Sequence, residues 1–344
     1  MIYLNCDYNE GAHPSVMDAL LISNMEQSIG YGEDEYCEEA RDIIKKLCKN
    51  DKLYVQFLVG GTQANKTIID AALRPHQGVL SADTGHINVH ETGAIEATGH
   101  KVLALPSVDG KITADQILKA YKAHMENGSR EHEVQPKMVY ISNPTEFGAI
   151  YSKAELKNLA EVCHDNGLYL FMDGARLGYG LMCKENDLDL PTIAKCCDVF
   201  YIGGTKVGAL FGEAVVINNN NIRDDFRYLI KQNGGMLAKG RLLGLQFKAL
   251  LEDNLYFDIS RHAVLMADAI RRALDDKGYK YYVESPTNQI FVIMPNKDLE
   301  KLSKKFVLSN EKKYDDNNTV IRVCTSWATK QENVSAFIDA VKAL

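Results

Sequence analysis

The chain has 344 residues, of which 46% are hydrophobic and 25% charged, and its formal net charge is −7. This composition is typical of a globular protein long enough for two domains, and the acidic charge argues against nucleic acid or an anionic membrane as a partner. The start, MIYLNCDYNE, lacks the basic and apolar regions of a signal peptide, and no apolar run approaches the roughly 18 residues of a membrane span.

Apolar runs and amphipathic segments alternate along the first 240 residues. Capping-box spacings, Thr113 with Gln116 and Ser152 with Glu155, mark the starts of two predicted helices. The alternation predicts an α/β fold with a largely parallel sheet. Seven runs rich in β-branched residues predict buried strands over 55–61, 78–83, 101–106, 137–144, 168–175, 198–204 and 213–218.

The pattern changes after about residue 240. A long helical segment covers 240–278, and two strand-like runs follow it at 279–295 and 319–327. The spacing of Thr329 and Glu332 predicts the start of a final helix. These features predict a large domain over residues 1–244, including the N-terminal segment, and a smaller α+β domain over residues 245–344.

The eight cysteines are too dilute in this chain for a disulfide scaffold. None forms a C-x-x-C motif, and the adjacent Cys196 and Cys197 lack the spacing of a zinc site. We therefore expect buried free thiols in a reducing, cytoplasmic environment.

Polar residues at the carboxyl ends of parallel strands are candidates for ligand binding. In GGTQAN (60–65), Gly61 and Thr62 could cradle a phosphate at the start of a helix, or could simply form a turn with Thr62 as the N-cap. His86 could stack on a planar ligand or take a proton, or could be an ordinary surface histidine. His86 and His90 have the spacing of a metal pair, but no acidic or cysteine partner completes the set, so no metal is expected.

Two charged residues follow later strands. Asp173 comes after LYLF, where an ionised carboxylate needs a positive partner. That partner could be Arg176, in a structural ion pair, or a protonated ring nitrogen, which would leave Arg176 free to bind a carboxylate. Lys206, in DVFYIGGTKVGALF (198–211), could lose its proton and attack a carbonyl, or could extend to the surface. A phosphate-binding turn, a stacking histidine, an aspartate for a ring nitrogen and a nucleophilic lysine are together what a protein needs to bind pyridoxal 5'-phosphate.

The same motifs resemble a known family. The chain is similar over nearly its whole length to the low-specificity L-threonine aldolases of the β-eliminating lyase group, which are pyridoxal-phosphate enzymes with the aspartate-aminotransferase (type I) fold. The motifs that carry the resemblance are YGED (31–34), GGTQAN (60–65), DGAR (173–176), GGTK (203–206) and RVCTSWAT (322–329). The resemblance implies a large domain with a mostly parallel seven-stranded sheet and a smaller α+β domain.

The resemblance also implies roles for individual residues. Lys206 would form a Schiff base with the cofactor, Asp173 would keep the pyridine nitrogen protonated, and His86 would cover the ring. Arg176 and Arg322 would hold the carboxylate of the amino-acid substrate. The remaining cofactor-binding residues would be Gly61, Thr62 and Thr205, the last in place of the family's serine. Tyr31 would reach the substrate in a neighbouring subunit of a homo-oligomer, a dimer or a tetramer with shared sites.

Three segments depart from the family pattern. Cys6 replaces a serine that often helps to bind the substrate carboxylate, and Glu146 of SNPTEFG stands where many members carry a histidine. The loop over 234–240 lacks an arginine expected near the phosphate, for which Lys239 or Arg241 could substitute.

The implied reaction is retro-aldol cleavage of L-threonine, L-allo-threonine or a related L-3-hydroxy-α-amino acid to glycine and an aldehyde. Glu146, His86 or a held water would take the proton of the 3-hydroxyl, unless Glu146 only anchors its loop. Two alternatives stay open: β-elimination or racemisation on the same cofactor, and a protein that binds the cofactor without catalysis.

Overall fold

The seven predicted strands of the large unit lie in one sheet in the computed structural model, which describes residues 1–344. The strands are β1 (Ile2–Tyr3), β2 (Tyr54–Leu58), β3 (Gln77–Ala82), β4 (Lys101–Leu105), β5 (Gln135–Ser142), β6 (Tyr169–Asp173), β7 (Val199–Gly203), β8 (Glu213–Ile217), β9 (Lys280–Val283), β10 (Gln289–Pro295), β11 (Phe306–Val307), β12 (Ser309–Lys313) and β13 (Asn318–Cys324).

The large sheet has the strand order β2-β8-β7-β6-β5-β3-β4. Strand β8 runs antiparallel to both of its neighbours, β2 and β7, whereas all the other adjacent pairs are parallel. The predicted α/β fold with a mostly parallel seven-stranded sheet is therefore confirmed.

Fourteen α-helices connect and cover the strands. They are α1 (Pro14–Ile22), α2 (Glu35–Cys48), α3 (Gly61–Ala72), α4 (His86–Val89), α5 (Ala114–Glu126), α6 (Lys153–Asp165), α7 (Leu177–Met182), α8 (Leu190–Cys196), α9 (Asn220–Arg223), α10 (Phe226–Gln232), α11 (Arg241–Leu251), α12 (Leu255–Asp276), α13 (Asn296–Leu302) and α14 (Gln331–Lys342). None of them combines the length and the apolar character that crossing a membrane requires.

The helix-start predictions succeed twice and fail once. Both predicted capping boxes are formed, at the first residues of α5 and α6. The third predicted helix start, at Thr329, is wrong because α14 begins at Gln331 with Lys330 as its N-cap. The Thr329 hydroxyl instead accepts the backbone N–H of Ser326 at 2.7 Å. Thr329 thus closes a turn of its own before the helix begins.

The predicted long helix over 240–278 is two helices, α11 and α12. The break lies at Asp253 and Asn254, whose φ angles of 53° and 65° are left-handed. Asp and Asn accept this conformation more readily than most residues, because their short polar side chains bond locally. Because the apolar periodicity continues across the break, the sequence pattern did not predict where one helix ends and the next begins.

Alternate residues of the central strands enter two different cores. Val139 and Ile141 belong to a cluster of 46 buried residues on one face of the sheet. Met138 and Tyr140 belong to a cluster of 19 on the other face. Because side chains alternate along a strand, apolar residues at every position predict burial on both faces.

A third cluster of 15 buried residues lies in the C-terminal unit, where α12 and α14 contribute to one core with the antiparallel sheet β12-β13-β10-β9. Leu4 joins this cluster, and the short strand β1 pairs in parallel with β11. The N-terminal segment therefore also packs on the C-terminal unit. A domain boundary between residues 244 and 245 stays a prediction.

All eight cysteines are buried and unpaired, as expected from their spacing.

Candidate active site

A cavity of about 200 Å³ lies at the edge of the large sheet where the parallel strands end. An adjoining cavity of about 670 Å³ shares His86, Glu146, Arg176 and Lys206 and also includes Arg322. The sheet therefore brings together nearly all the residues singled out in the sequence. Those that line the smaller cavity are Gly61, Thr62, His86, Glu146, Asp173, Arg176, Thr205 and Lys206.

One end of the smaller cavity is the start of α3. Gly60, not Thr62, is the N-cap residue, so the alternative of Thr62 as a helix cap is wrong. No side chain caps the helix, and the first backbone N–H groups of an α-helix have no partner within it. The buried Tyr201 hydroxyl lies beside this turn, since a Cβ on Gly61 would approach it to 3.4 Å. These donors make the start of α3 suitable for an anion.

Asp173 ends β6 and lies buried at the floor of the cavity. Its carboxylate accepts hydrogen bonds from the Tyr140 hydroxyl at 2.6 Å, the Asn65 amide at 3.1 Å and the Ala175 backbone N–H at 2.9 Å. Burial acts to raise the pKa of Asp173, but the hydrogen bonds from the Tyr140 and Tyr201 hydroxyls and the Ala175 N–H, with the charge of His86, outweigh it and hold the pKa below its usual value. Asp173 is therefore ionised at neutral pH.

Arg176 is bound to a residue that the sequence reasoning did not select. Its Nε and Nη2 atoms donate to the two carboxylate oxygens of Asp7 at 2.7 and 3.0 Å. The alternative of an Arg176–Asp173 ion pair is wrong. Asp7 lies in the N-terminal segment, 169 residues away, where a carboxylate in a mostly polar stretch gave no local signal. Burial acts to raise the pKa of Asp7, but the charges of Arg176 and Lys206 and the hydrogen bonds from Arg176 and Asn288 together outweigh it and lower that pKa.

His86 begins α4 and has a buried acidic partner. Its Nδ1 atom lies 2.7 Å from Oε1 of Glu91, whose side chain is fully buried. The Asn65 amide donates to the same Glu91 oxygen at 2.7 Å and also reaches Asp173. Burial acts to lower the pKa of His86, but the Glu91 hydrogen bond and the charge of Asp173 raise it overall. The ring therefore has a fixed orientation at the cavity wall.

Glu146 uses one carboxylate oxygen to hold its surroundings in place. Oε1 accepts the backbone N–H of His86 at 2.9 Å and the Ser142 hydroxyl at 2.7 Å. Oε2 is buried and has no hydrogen-bond partner. Burial, the largest effect, raises the pKa of this carboxyl above its usual value. Glu146 thus anchors the loop as one hypothesis expected and also presents a second oxygen without a partner.

Lys206 lies half-buried in the turn after β7 and lines both cavities. Its amine takes part in no hydrogen bond or ion pair, whereas its backbone carbonyl accepts the Tyr179 hydroxyl at 2.5 Å. Burial lowers the pKa of the amine and the charge of Arg176 lowers it further, against the attraction of Asp7 and Asp173. A lysine of this kind loses its proton more readily than one at the surface.

Glu213 is a member of the cavity wall that the sequence reasoning missed. It is the first residue of β8, and it is 3% exposed. Polar residues at the ends of strands are the usual candidates, but β8 runs antiparallel to its neighbours, so its first residue lies at the carboxyl edge of the sheet. The sequence does contain one signal for this position, which is an acidic residue at the start of the otherwise apolar run EAVVIN (213–218).

Of the two remaining predicted substrate-binding residues, Arg322 lines a cavity and Tyr31 does not. Arg322, on β13, lines the larger cavity, donates to the Asn5 carbonyl at 3.2 Å and has its Nε atom 3.4 Å from Glu311. Tyr31 lines neither cavity and is 48% exposed, so within one chain it is separate from Lys206.

The two cations suggested as replacements for the missing phosphate arginine also lie outside both cavities. Arg241 donates to the carbonyls of Ser23 and Asn24 instead, and Lys239 lines neither cavity.

Comparison with known proteins agrees with this geometry. Residues 7–297 match the family model described as beta-eliminating lyase. The chain belongs to the beta-eliminating lyase family. It is 31% identical over 305 residues to a low specificity L-threonine aldolase from Pseudomonas sp., covering 87% of this chain and 86% of that one.

Solved structures of this fold extend the comparison. A threonine aldolase from Leishmania major superposes with a TM-score of 0.97 at 42% identity, covering 100% of this chain and 99% of that chain. Aspartate aminotransferase from Thermus thermophilus has a TM-score of 0.72 at 14% identity, covering 100% of this chain and 92% of that chain. At that identity the likeness concerns the fold alone, and it confirms the predicted aspartate-aminotransferase fold.

Proposed function

We propose that this protein is a pyridoxal-phosphate-dependent lyase that cleaves L-threonine, L-allo-threonine or a related L-3-hydroxy-α-amino acid to glycine and an aldehyde. The observation that carries the proposal is the placement of an unpaired Lys206 amine and the ionised Asp173 in one cavity, beside the uncapped start of α3. The relatives named as threonine aldolases support the choice of reaction.

The residues of the cavity fit pyridoxal 5'-phosphate. The start of α3 offers backbone N–H groups without partners in the helix to a phosphate group. Asp173 offers a carboxylate to a protonated ring nitrogen, and His86 offers a ring held by Glu91. When bound, the cofactor supplies a carbonyl that captures amino groups and a ring that accepts the electrons of the bond that breaks.

The surroundings of Lys206 and Asp173 favour the charge states that this chemistry requires. Desolvation of the Lys206 amine increases the share of its neutral, nucleophilic form. The hydrogen bonds from Tyr140 and Ala175 favour the ionised form of Asp173, and together with the one from Asn65 they fix its orientation. A fixed carboxylate at this position holds a proton on a ring nitrogen without taking that proton itself.

Arg176 and Arg322 are oriented to bind a substrate carboxylate. Asp7 occupies the Nε and Nη2 atoms of Arg176 and leaves its Nη1 atom without a partner. Arg322 is held through the Asn5 carbonyl at the wall of the larger cavity. Since each guanidinium is already bound on one side, little side-chain entropy is lost when its remaining donors bind substrate.

Glu146 is the proposed base for the 3-hydroxyl of the substrate. Its Oε1 atom is engaged by His86 and Ser142, and its Oε2 atom has no partner in a buried position next to both cavities. Burial raises its pKa, so the carboxylate accepts a proton more readily than an exposed glutamate does. His86 is the alternative base, since its pKa is also raised.

The protein is further proposed to act as a homo-oligomer. Apolar side chains stand exposed along α1 and the segment that follows it: Met17, Leu21, Ile22, Met25, Ile29 and Tyr31. So many exposed apolar side chains in one short segment are typical of an interface. Tyr31 lies within this segment, and this supports a role for Tyr31 in the site of a neighbouring subunit.

A product assay tests the proposed reaction. We expect glycine and acetaldehyde in equal amounts from L-threonine, and little pyruvate or ammonia from L-serine or L-cysteine. Pyruvate and ammonia as the main products would instead identify a β-eliminating enzyme, and inversion of the α-carbon would identify a racemase. Lys206→Ala should abolish product formation, while Lys195→Ala, a change on α8 outside both cavities, should leave it intact.

A further inference from the structure

Glu213 places a carboxyl group in the wall of the same cavity that contains the proposed phosphate site. The cavity joins it to Gly60, Gly61 and Thr62 at the start of α3. In the ladder, Glu213 is paired with Leu58 of β2, and the chain continues from Leu58 directly to the glycines. An ionised carboxylate at this buried position would repel a phosphate dianion in the same cavity.

Glu213 is bound to the turn that carries Lys206. Its Oε1 atom lies 3.0 Å from the Thr205 hydroxyl, and its Oε2 atom accepts the Gly204 backbone N–H at 3.2 Å. The Thr205 oxygen also accepts the backbone N–H of Gly212 at 3.0 Å. Both residues are thus held in a small hydrogen-bonded ring, and the ring itself faces the cavity.

A hydroxyl group has a single proton to donate. When Glu213 is ionised it can only accept, so the Thr205 proton points toward Glu213 and is not available to another acceptor. When Glu213 is protonated, its own O–H can donate to the Thr205 oxygen. The Thr205 proton is then released from Glu213 and can turn to the Gly212 carbonyl, 3.4 Å away, or into the cavity.

The charged and titratable groups around Glu213 do not form an ion pair with it. The start of α3 and β2 present no charged group to it, and the side chains next to the preceding Gly212 are the apolar Leu243 and Phe247 of α11. Burial raises the pKa of Glu213 to about 8, while Lys206 and the Thr205 hydrogen bond act in the opposite direction. The titratable groups that face it are Lys206, Asp173, Tyr201 of β7 and Tyr256 of α12.

We propose that a phosphate group binds at the start of α3 only when Glu213 is protonated, so that an ionised Glu213 takes up a proton from solvent on binding, and that this proton frees the Thr205 hydroxyl to donate to the phosphate. The only bond formed in this step is an O–H bond on the Glu213 carboxyl. The inference rests on the proposed use of pyridoxal 5'-phosphate and adds a proton-linked residue to its phosphate site.

The test is the affinity for pyridoxal 5'-phosphate as a function of pH, measured by absorbance titration of the cofactor-free full chain. Glu213→Gln is the central variant, because its amide is permanently neutral and can donate to Thr205. Proton exchange at the ring nitrogen and at the phosphate occurs in both proteins and cancels in the ratio of their dissociation constants. Repeating both titrations with Lys206→Ala in place removes the amine that interacts with Glu213. With a pKa of about 8, the ratio of wild type to variant should rise about tenfold between pH 7 and about pH 9.

Calorimetry in two buffers of different protonation enthalpy provides a second readout. At about pH 9 the wild type should take up about one proton more than Glu213→Gln for each cofactor bound. A pH-independent ratio, equal proton uptake, or weaker binding by Glu213→Gln at every pH would overturn the inference while leaving the proposed function intact. Failure of the wild type to bind the cofactor at all would overturn both.

Two changes at Thr205 keep the test decisive if Glu213→Gln does not fold. Thr205→Val removes the donated proton and should weaken cofactor binding about tenfold or more, because hydrogen bonds to charged groups are strong. Thr205→Ser keeps the hydroxyl and should bind like the wild type. Equal affinity of the Val and Ser variants below pH 7 would contradict a hydrogen bond from Thr205 to the phosphate.

Discussion

Replacing Asp7 by asparagine tests the ion pair that holds Arg176. The two side chains are 0% and 13% exposed, and two hydrogen bonds of 2.7 and 3.0 Å join them. Removing one charge from a buried pair leaves the other uncompensated, at a cost of about 3–5 kcal/mol. The amide oxygen of the introduced asparagine could still accept one hydrogen bond, so we expect the free energy of unfolding to fall by about 3 kcal/mol, the lower end of that range.

The assay is urea unfolding followed by circular dichroism, with Asp316→Asn as the matched control. Asp316 pairs with Lys313 on the surface, where the side chains are 92% and 69% exposed. Solvent screens such pairs, so the control should unfold like the wild type. If Asp7→Asn also unfolds like the wild type, the pair does not stabilise the fold and Arg176 is held by other contacts.

The stability that the Asp7–Arg176 pair contributes should depend on pH. The charge of Arg176 lowers the pKa of Asp7 below its unfolded value, so the pair contributes stability above that unfolded value, which is about 3.9. This contribution is lost as the pH falls through the lower folded pKa. The difference in stability between the wild type and Asp7→Asn should therefore be full at neutral pH and shrink below about pH 4.

Three further predictions concern the site. The purified protein with pyridoxal 5'-phosphate should be yellow, borohydride should attach the cofactor irreversibly, and peptide mapping should find it on Lys206 and on no other lysine. Glu146→Gln should lower the rate of threonine cleavage about 10²–10⁴-fold with little change in cofactor binding, and a near-normal rate would assign the proton transfer to His86 or to water. Mixed oligomers of inactive Lys206→Ala and Tyr31→Phe should recover activity if Tyr31 acts across a subunit interface; a fully active monomer in sedimentation would contradict that role.

Local patterns in the sequence were sufficient for most of the elements around the site. Continuous apolar runs such as residues 137–144 predict strands buried on both faces, and the structure places Met138 and Val139 in cores on opposite sides of the sheet. The alternation of strands with helices implied a parallel sheet, in which the strand ends meet at one edge. That rule alone was enough to predict that Asp173 and Lys206 lie close together.

The partners of these residues were decided only by the tertiary structure. Asp7 reaches Arg176 because the N-terminal segment crosses to the strand ends, and 169 residues separate the two in sequence. Glu213 enters the cavity because β8 runs antiparallel to its neighbours, a direction that the apolar run EAVVIN does not specify. Strand direction and charge pairing depend on contacts between distant segments, whereas helix and strand formation depend on neighbours along the chain, and this is why the sequence determined the elements and the folded chain decided the partners.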